Sequence, residues 1–149
     1  MSSKPYILLV EDNPDDVELT RRAFAKNHIA NEVVVLTDGA QAVDFLFNAN
    51  REGRSLPQVI LLDLKLPKVS GLEVLERIRA DDSACLVPTV ILTSSKQDED
   101  LLAGYRLGVN SYVRKPVDFN EFVEAVRQVG LYWLVLNEAP PAGFGGAIS

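Results

Sequence analysis

A chain of 149 residues with 47% apolar and 24% charged side chains is sized for one domain with a real core, not for a disordered segment. A net charge of −6 argues against nucleic-acid binding, because phosphate neutralisation needs clustered Lys and Arg. A single cysteine, Cys85, excludes an internal disulfide and a Cys-rich zinc site, and no run is long and apolar enough for a signal peptide or a membrane span, so a cytoplasmic domain is expected.

Tyr6 to Val10 is a short apolar run that suits a buried strand, and it ends on Glu11-Asp12. Asn13 is a candidate N-cap, Pro14 suits the first helical position, and Asp15 and Asp16 complement the helix dipole. That helix runs to about Asn27 with Val17, Leu19, Ala23 and Phe24 turned toward packing, and His28 is read as a solvated residue at its end. Glu32 to Leu36 is the second strand. Thr37-Asp38-Gly39 opens a helix whose Val43, Leu46 and Phe47 recur at helical spacing. The connection from Asn48 to Leu56 is longer than usual for such units.

Val59 to Leu62 is apolar without alternation, as in a strand buried on both faces, and Asp63 closes it. A loop with Pro67 leads through Gly71 into a helix carrying Val74, Leu75 and Ile78. Thr89 to Leu92 is the fourth strand, ending in Thr93-Ser94-Ser95. Asp98 to Leu107 is a helix, and Ser111 to Arg114 is a fifth strand ending at Lys115-Pro116. A last helix is capped by Asp118 or Asn120 and uses Phe119, Phe122, Val123, Val126 and Val129. Strands alternating with helices imply a parallel sheet covered on both faces.

In such a sheet the carboxyl ends of the strands share one rim, where ligands bind. Glu11, Asp12, Asp63, Thr93 and Lys115 all fall there. Two carboxylates about 4 Å apart repel by roughly 4 kcal/mol at an effective dielectric near 20. A hard divalent cation such as magnesium (Mg2+) relieves that repulsion, while a hydroxyl and an ammonium suit phosphoryl oxygens. The simplest chemistry is phosphoryl transfer onto a carboxylate. Alone, Glu11-Asp12 read as helix-start acids, Lys115 as a solvated charge and Thr93 as a strand-end hydroxyl, while Asp63 at the end of an all-apolar strand is the hardest to dismiss. Their joint placement has no such bland reading.

Glu11-Asp12, Leu61-Leu62-Asp63-Leu64-Lys65-Leu66-Pro67, Val90-Ile91-Leu92-Thr93-Ser94-Ser95 and Tyr112-Val113-Arg114-Lys115-Pro116 resemble the receiver domain of two-component response regulators, over about Lys4 to Val129. The resemblance implies an α/β flavodoxin-like fold: a doubly wound, five-stranded parallel sheet of order 2-1-3-4-5. It implies that Asp63 takes a phosphoryl group from a sensor histidine kinase. Glu11, Asp12, Asp63 and the backbone carbonyl of Lys65 would hold Mg2+, with Glu11 acting largely through water. Thr93 and Lys115 would contact the phosphoryl oxygens, Thr93 and Tyr112 would form a switch, and the peptide before Pro116 would be cis. Lys65 and Ser95 would tune dephosphorylation.

Gly130 interrupts the last helix, and Leu131 to Leu136 then runs apolar on every side. This stretch, with the long loop around Arg51 to Pro57, resembles stand-alone regulators that partner phytochrome-type kinases. A homodimer surface with Tyr132, Trp133 and Leu136 is expected. One receiver domain is assigned to residues 4–138, with 139–149 a flexible Pro/Gly-rich tail. The expected protein is a phosphoacceptor that signals by protein contact, not an enzyme. An aspartyl-nucleophile phosphohydrolase is the rival, but Lys65 stands where such an enzyme carries its general acid.

Overall fold

The computed structural model describes residues 6–29, 31–47, 55–64, 66–93, 111–114 and 119–130. The expected helix over 98–107 and the apolar stretch 131–136 lie outside the described residues. Five strands, β1 (Tyr6–Val10), β2 (Glu32–Leu36), β3 (Val59–Leu62), β4 (Thr89–Thr93) and β5 (Ser111–Arg114), form one parallel sheet in the order β2-β1-β3-β4-β5. Four helices are described: α1 (Pro14–Lys26), α2 (Gly39–Phe47), α3 (Gly71–Ala80) and α4 (Phe119–Gly130). Both the strand order and the strand positions expected from sequence are found.

β1 lies between β2 and β3, pairing Leu8 with Val34 on one side and with Ile60 on the other. All five of its residues are buried, as its lack of alternation requires. The pleat sends successive side chains to opposite faces. Tyr6, Leu8 and Val10 therefore enter one core with Ala42, Leu46, Val74, Leu75 and Ile78 of α2 and α3. Ile7 and Leu9 enter the other, with Ala23 and Phe24 of α1 and the half-buried Val123 of α4. Asn27 ties the second layer together, its side-chain amide donating to the carbonyls of Ala23 and Val123. Tyr6 meets Phe45 edge to face at 6.2 Å, and its hydroxyl donates to the Ser55 carbonyl.

Helix ends follow local chemistry. The Asn13 side chain accepts from the amides of Asp15 and Asp16, and Pro14 opens α1. α1 closes in a Schellman motif: Ile29 N–H donates to Phe24 O and His28 N–H to Ala25 O, with His28 at φ 58°. Ser70 caps α3 by accepting the Glu73 amide at 3.2 Å. α2 buries Ala42, Phe45 and Leu46, and the half-buried Val43 and Phe47 pack against the same core, so the expected stripe is found and widened toward Ala42 and Phe45. A short 3-10 turn (Ala84–Leu86), which periodicity does not reveal, joins α3 to β4. Arg79 pins it, donating from Nη1 to the Cys85 carbonyl at 2.9 Å and from Nη2 to Thr89 Oγ1 at 2.7 Å. Among the described residues no helix is long and apolar enough to cross a membrane.

Candidate functional site

Backbone pairing places the acids. Past the last residue of β1, the Glu11 amide donates to the Leu36 carbonyl at 2.9 Å, extending the ladder with β2. Past the last residue of β3, the Asp63 amide donates to the Val10 carbonyl at 3.1 Å, extending the ladder with β1. Two neighbouring parallel strands thus end at the same level, and a carboxylate follows each. Ligand oxygens of Glu11, Asp12 and Asp63 all lie within 4.8 Å of one another. Glu11 and Asp63 are buried, and Asp12 is exposed. Glu11 Oε2 also accepts the Asn13 amide at 3.3 Å, which links this acid to the start of α1.

Three carboxylates this close repel by several kcal/mol in the absence of a counter-charge, even at a high effective dielectric. Their hard oxygens and the open side at Asp12 fit a divalent cation that keeps part of its water shell. The cluster thus has a buried floor, Glu11 and Asp63, and an exposed lip at Asp12.

The segment after Asp63 is built around two close approaches. The Gly71 amide donates to the Leu64 carbonyl at 2.9 Å, and a Cβ on Gly71 would stand 2.1 Å from the Asp63 carbonyl oxygen. A Cβ on Gly39 would stand 1.8 Å from the Val69 carbonyl oxygen. Only glycine lets the starts of α3 and α2 reach this segment. Leu64 is itself buried in the layer between the sheet and α2 and α3. Asp38, also buried, accepts the Gln41 amide at 2.8 Å and faces Lys68 Nζ at 3.5 Å. The sequence marks Asp38 and Gly39 as a helix start; their contact with the loop of Lys68 and Val69 is visible only in three dimensions.

The other expected residues divide by position. β4 ends at Thr93, which pairs with Arg114 at the end of β5, so the backbone of Thr93 reaches the same rim as Asp63. Tyr112 lies in β5 opposite Ile91. Lys115 follows Arg114 in sequence and, like Lys65, Ser95, Pro116, Tyr132, Trp133 and Leu136, lies outside the described residues.

Comparison with known proteins agrees with this geometry. The sequence profile of the response regulator receiver domain matches residues 7–127. The chain is 42% identical over 134 residues to the probable methanogenesis regulatory protein FilR2 of Methanothrix harundinacea, covering 90% of this chain and 86% of that one. The phosphorylated cyanobacterial phytochrome response regulator RcpA superposes with a TM-score of 0.86 at 34% identity, covering 93% of this chain and all of that one. The Mn(2+)-bound form of response regulator Rcp1 gives 0.84 at 35% identity, with 93% of this chain and 100% of that one covered. The bacteriophytochrome response regulator RtBRR is 52% identical with a TM-score of 0.71, covering 95% of this chain and 86% of its own. A profile that runs from Ile7 in β1 to Arg127 in α4 takes in every strand of the sheet and the rim they share, and the chain belongs to the response regulator receiver domain family.

Proposed function

We propose that this receiver accepts a phosphoryl group on Asp63 from the phosphohistidine of a sensor histidine kinase and passes the signal on through protein contacts. The observation that carries this reading is the buried Asp63 carboxylate within 4.8 Å of Glu11 and Asp12 at the ends of adjacent strands. An Asp63 oxygen attacks phosphorus; the new O–P bond forms as the N–P bond to the kinase imidazole breaks, and the imidazole leaves with a proton from solvent. Asp12, Asp63 and the Lys65 carbonyl, with Glu11 acting largely through water, would hold magnesium, and the cation would supply the positive charge that lets a phosphoryl group approach three carboxylates. The Thr93 hydroxyl and the Lys115 ammonium take the remaining phosphoryl oxygens.

Movement of Thr93 toward the phosphoryl group frees space for the Tyr112 ring, which makes the pair the switch. The peptide before Pro116 is cis in this reading and aims Lys115. Lys65 and Ser95, two residues past Asp63 and Thr93, flank the path of the hydrolytic water and set the lifetime of the phosphorylated state. A phytochrome-type kinase is supported by the phytochrome regulators among the structural neighbours. The protein acts in the cytoplasm as a homodimer through Tyr132, Trp133 and Leu136, its single domain spanning residues 4–138 and residues 139–149 a flexible tail.

Incubating the protein and its Asp63→Asn variant with magnesium and a small phosphodonor, then measuring intact mass, tests the central claim. One phosphoryl group on the wild type and none on the variant is expected. Equal labelling of both, or labelling of neither while both are folded, overturns it.

A further inference from the structure

Asn13 stands between the acidic cluster and α1 and bonds to both. On the helix side its Oδ1 accepts the amides of Asp15 and Asp16 at 2.9 and 3.4 Å, and its carbonyl accepts the Val17 amide at 3.0 Å. Its backbone is extended, at φ −89° and ψ 114°, as an N-cap requires. On the other side its own amide donates to Glu11 Oε2 at 3.3 Å. In a capping box that amide is taken by a Glu or Gln in the first turn of the helix. Here the first turn offers the shorter Asp16 at that position, and the amide goes to an acid of the rim instead.

Glu11 is 1% exposed, so its carboxylate takes its orientation from donors inside the protein, not from bulk water. Asp12 is exposed, and the main chain is fixed on either side of it. Before it, the Glu11 amide donates to the Leu36 carbonyl at 2.9 Å; after it comes the Asn13 cap. Two of the three carboxylates thus take their bearing from a residue that is not itself an acid.

We infer that Asn13 is a positioning residue for divalent-cation binding: its side chain, by capping α1, fixes the main chain that holds Glu11 and carries Asp12. This rests on the metal site proposed above. The alternative is that the cap serves α1 alone, and then its loss costs stability and leaves cation affinity unchanged. Asn27 provides the comparison. It stands at the other end of the 13-residue α1, about 20 Å along the axis, where its side-chain amide donates to the Ala23 and Val123 carbonyls.

Calorimetric titration with magnesium chloride, paired with urea denaturation in EDTA, separates the two. Wild type is compared with Asn13→Ala, Asn13→Gly, Asn13→Ser and Asn27→Ala. Every exchange is neutral for neutral, so the charge of the cluster is the same throughout. Glycine at an N-cap costs a helix little, so Asn13→Gly should fold whatever Asn13→Ala does, and serine keeps a capping oxygen. Groups that orient metal ligands are typically worth tenfold or more in affinity. Asn13→Ala and Asn13→Gly should raise the magnesium Kd about tenfold, and Asn13→Ser at most about threefold. Asn27→Ala should lower the urea midpoint and leave Kd unchanged. Weakening by Asn13→Ser or by Asn27→Ala as large as that by Asn13→Gly overturns the inference. Wild type that takes up no magnesium overturns the metal site and this inference with it; wild type that binds beside an unchanged Asn13→Gly overturns only the role of Asn13.

Discussion

The Asp63 amide donates to the carbonyl of Val10, the residue immediately before Glu11. One main-chain hydrogen bond therefore sets the distance between the proposed phosphoacceptor and the pair of acids across from it. Side-chain packing contributes little to that spacing, because the ladder fixes it before any rotamer is chosen. Changes in core volume should perturb the site less than changes that disturb where β1 and β3 end.

Crowded carboxylates give metal a signed effect on stability. With magnesium at 100 times its Kd, the folded state should gain about 2.7 kcal/mol over the chelated protein. Asp12→Asn relieves repulsion in the cluster and, because Asp12 is exposed and screened, should stabilise the metal-free protein by about 1 kcal/mol while losing most of the gain from magnesium. Urea denaturation with EDTA and with magnesium reads both signs. A variant less stable than wild type under both conditions would show that the acids are not in tension.

Gly71→Ala and Gly39→Ala would each gain about 1 kcal/mol in a helix interior, since Ala is the better helix former. Here the new methyl group would meet the main chain of Asp63 or Val69, which cannot swing aside as a side chain can. Destabilisation of about 1–3 kcal/mol is expected, and more if α3 has to lift off the sheet. Phosphate incorporation by Gly71→Ala should fall with it, because the atom displaced belongs to Asp63. Denaturation midpoints and intact mass check the two effects together.

The end of α1 offers a gain. His28 is exposed and holds φ at 58°, a place glycine occupies without strain. His28→Gly should stabilise the protein by about 1 kcal/mol without changing phosphorylation. A loss of stability would mean that the imidazole contributes more than its backbone conformation costs.

On α4, Arg127 hydrogen-bonds Glu124 and holds its carboxyl below the usual range. A carboxylate depressed in the folded state adds stability above its unfolded pKa and loses it as pH falls through the folded value. Glu124→Gln should thus be less stable than wild type near neutral pH, with the gap closing in acid below the ordinary carboxylate range. Both groups are exposed, so added salt should close it as well. Thermal melts across pH at two salt concentrations follow the gap.

The sequence made the sheet legible because β1 and β3 are apolar through their length and every strand but the second leads to a polar residue of distinct chemistry. Asn13-Pro14 and Thr37-Asp38-Gly39 announced two helix starts through their own hydrogen-bonding capacity. The three acids could be placed together because parallel strands share a rim. What stayed hidden depends on contacts distant in sequence. Gly71 reads as an ordinary loop glycine until its approach to the Asp63 carbonyl is seen. The strained His28 reads as a solvated helix end. The inner face of α2 is wider than Val43, Leu46 and Phe47 alone suggest, because Ala42 and Phe45 are buried beside them.

The pleat of β1 divides the interior into two unequal neighbours of the rim. Leu8 shares its layer with Leu64, the residue that anchors the chain just past the acceptor, whereas Leu9 shares the layer of α1 and α4. Adjacent leucines of equal burial therefore report to different places. Softening the protein at Leu8 loosens the loop beside the acceptor, and softening it at Leu9 loosens the join between the first and last helices. The sheet works as a partition, so wear on one side of it is not shared by the other.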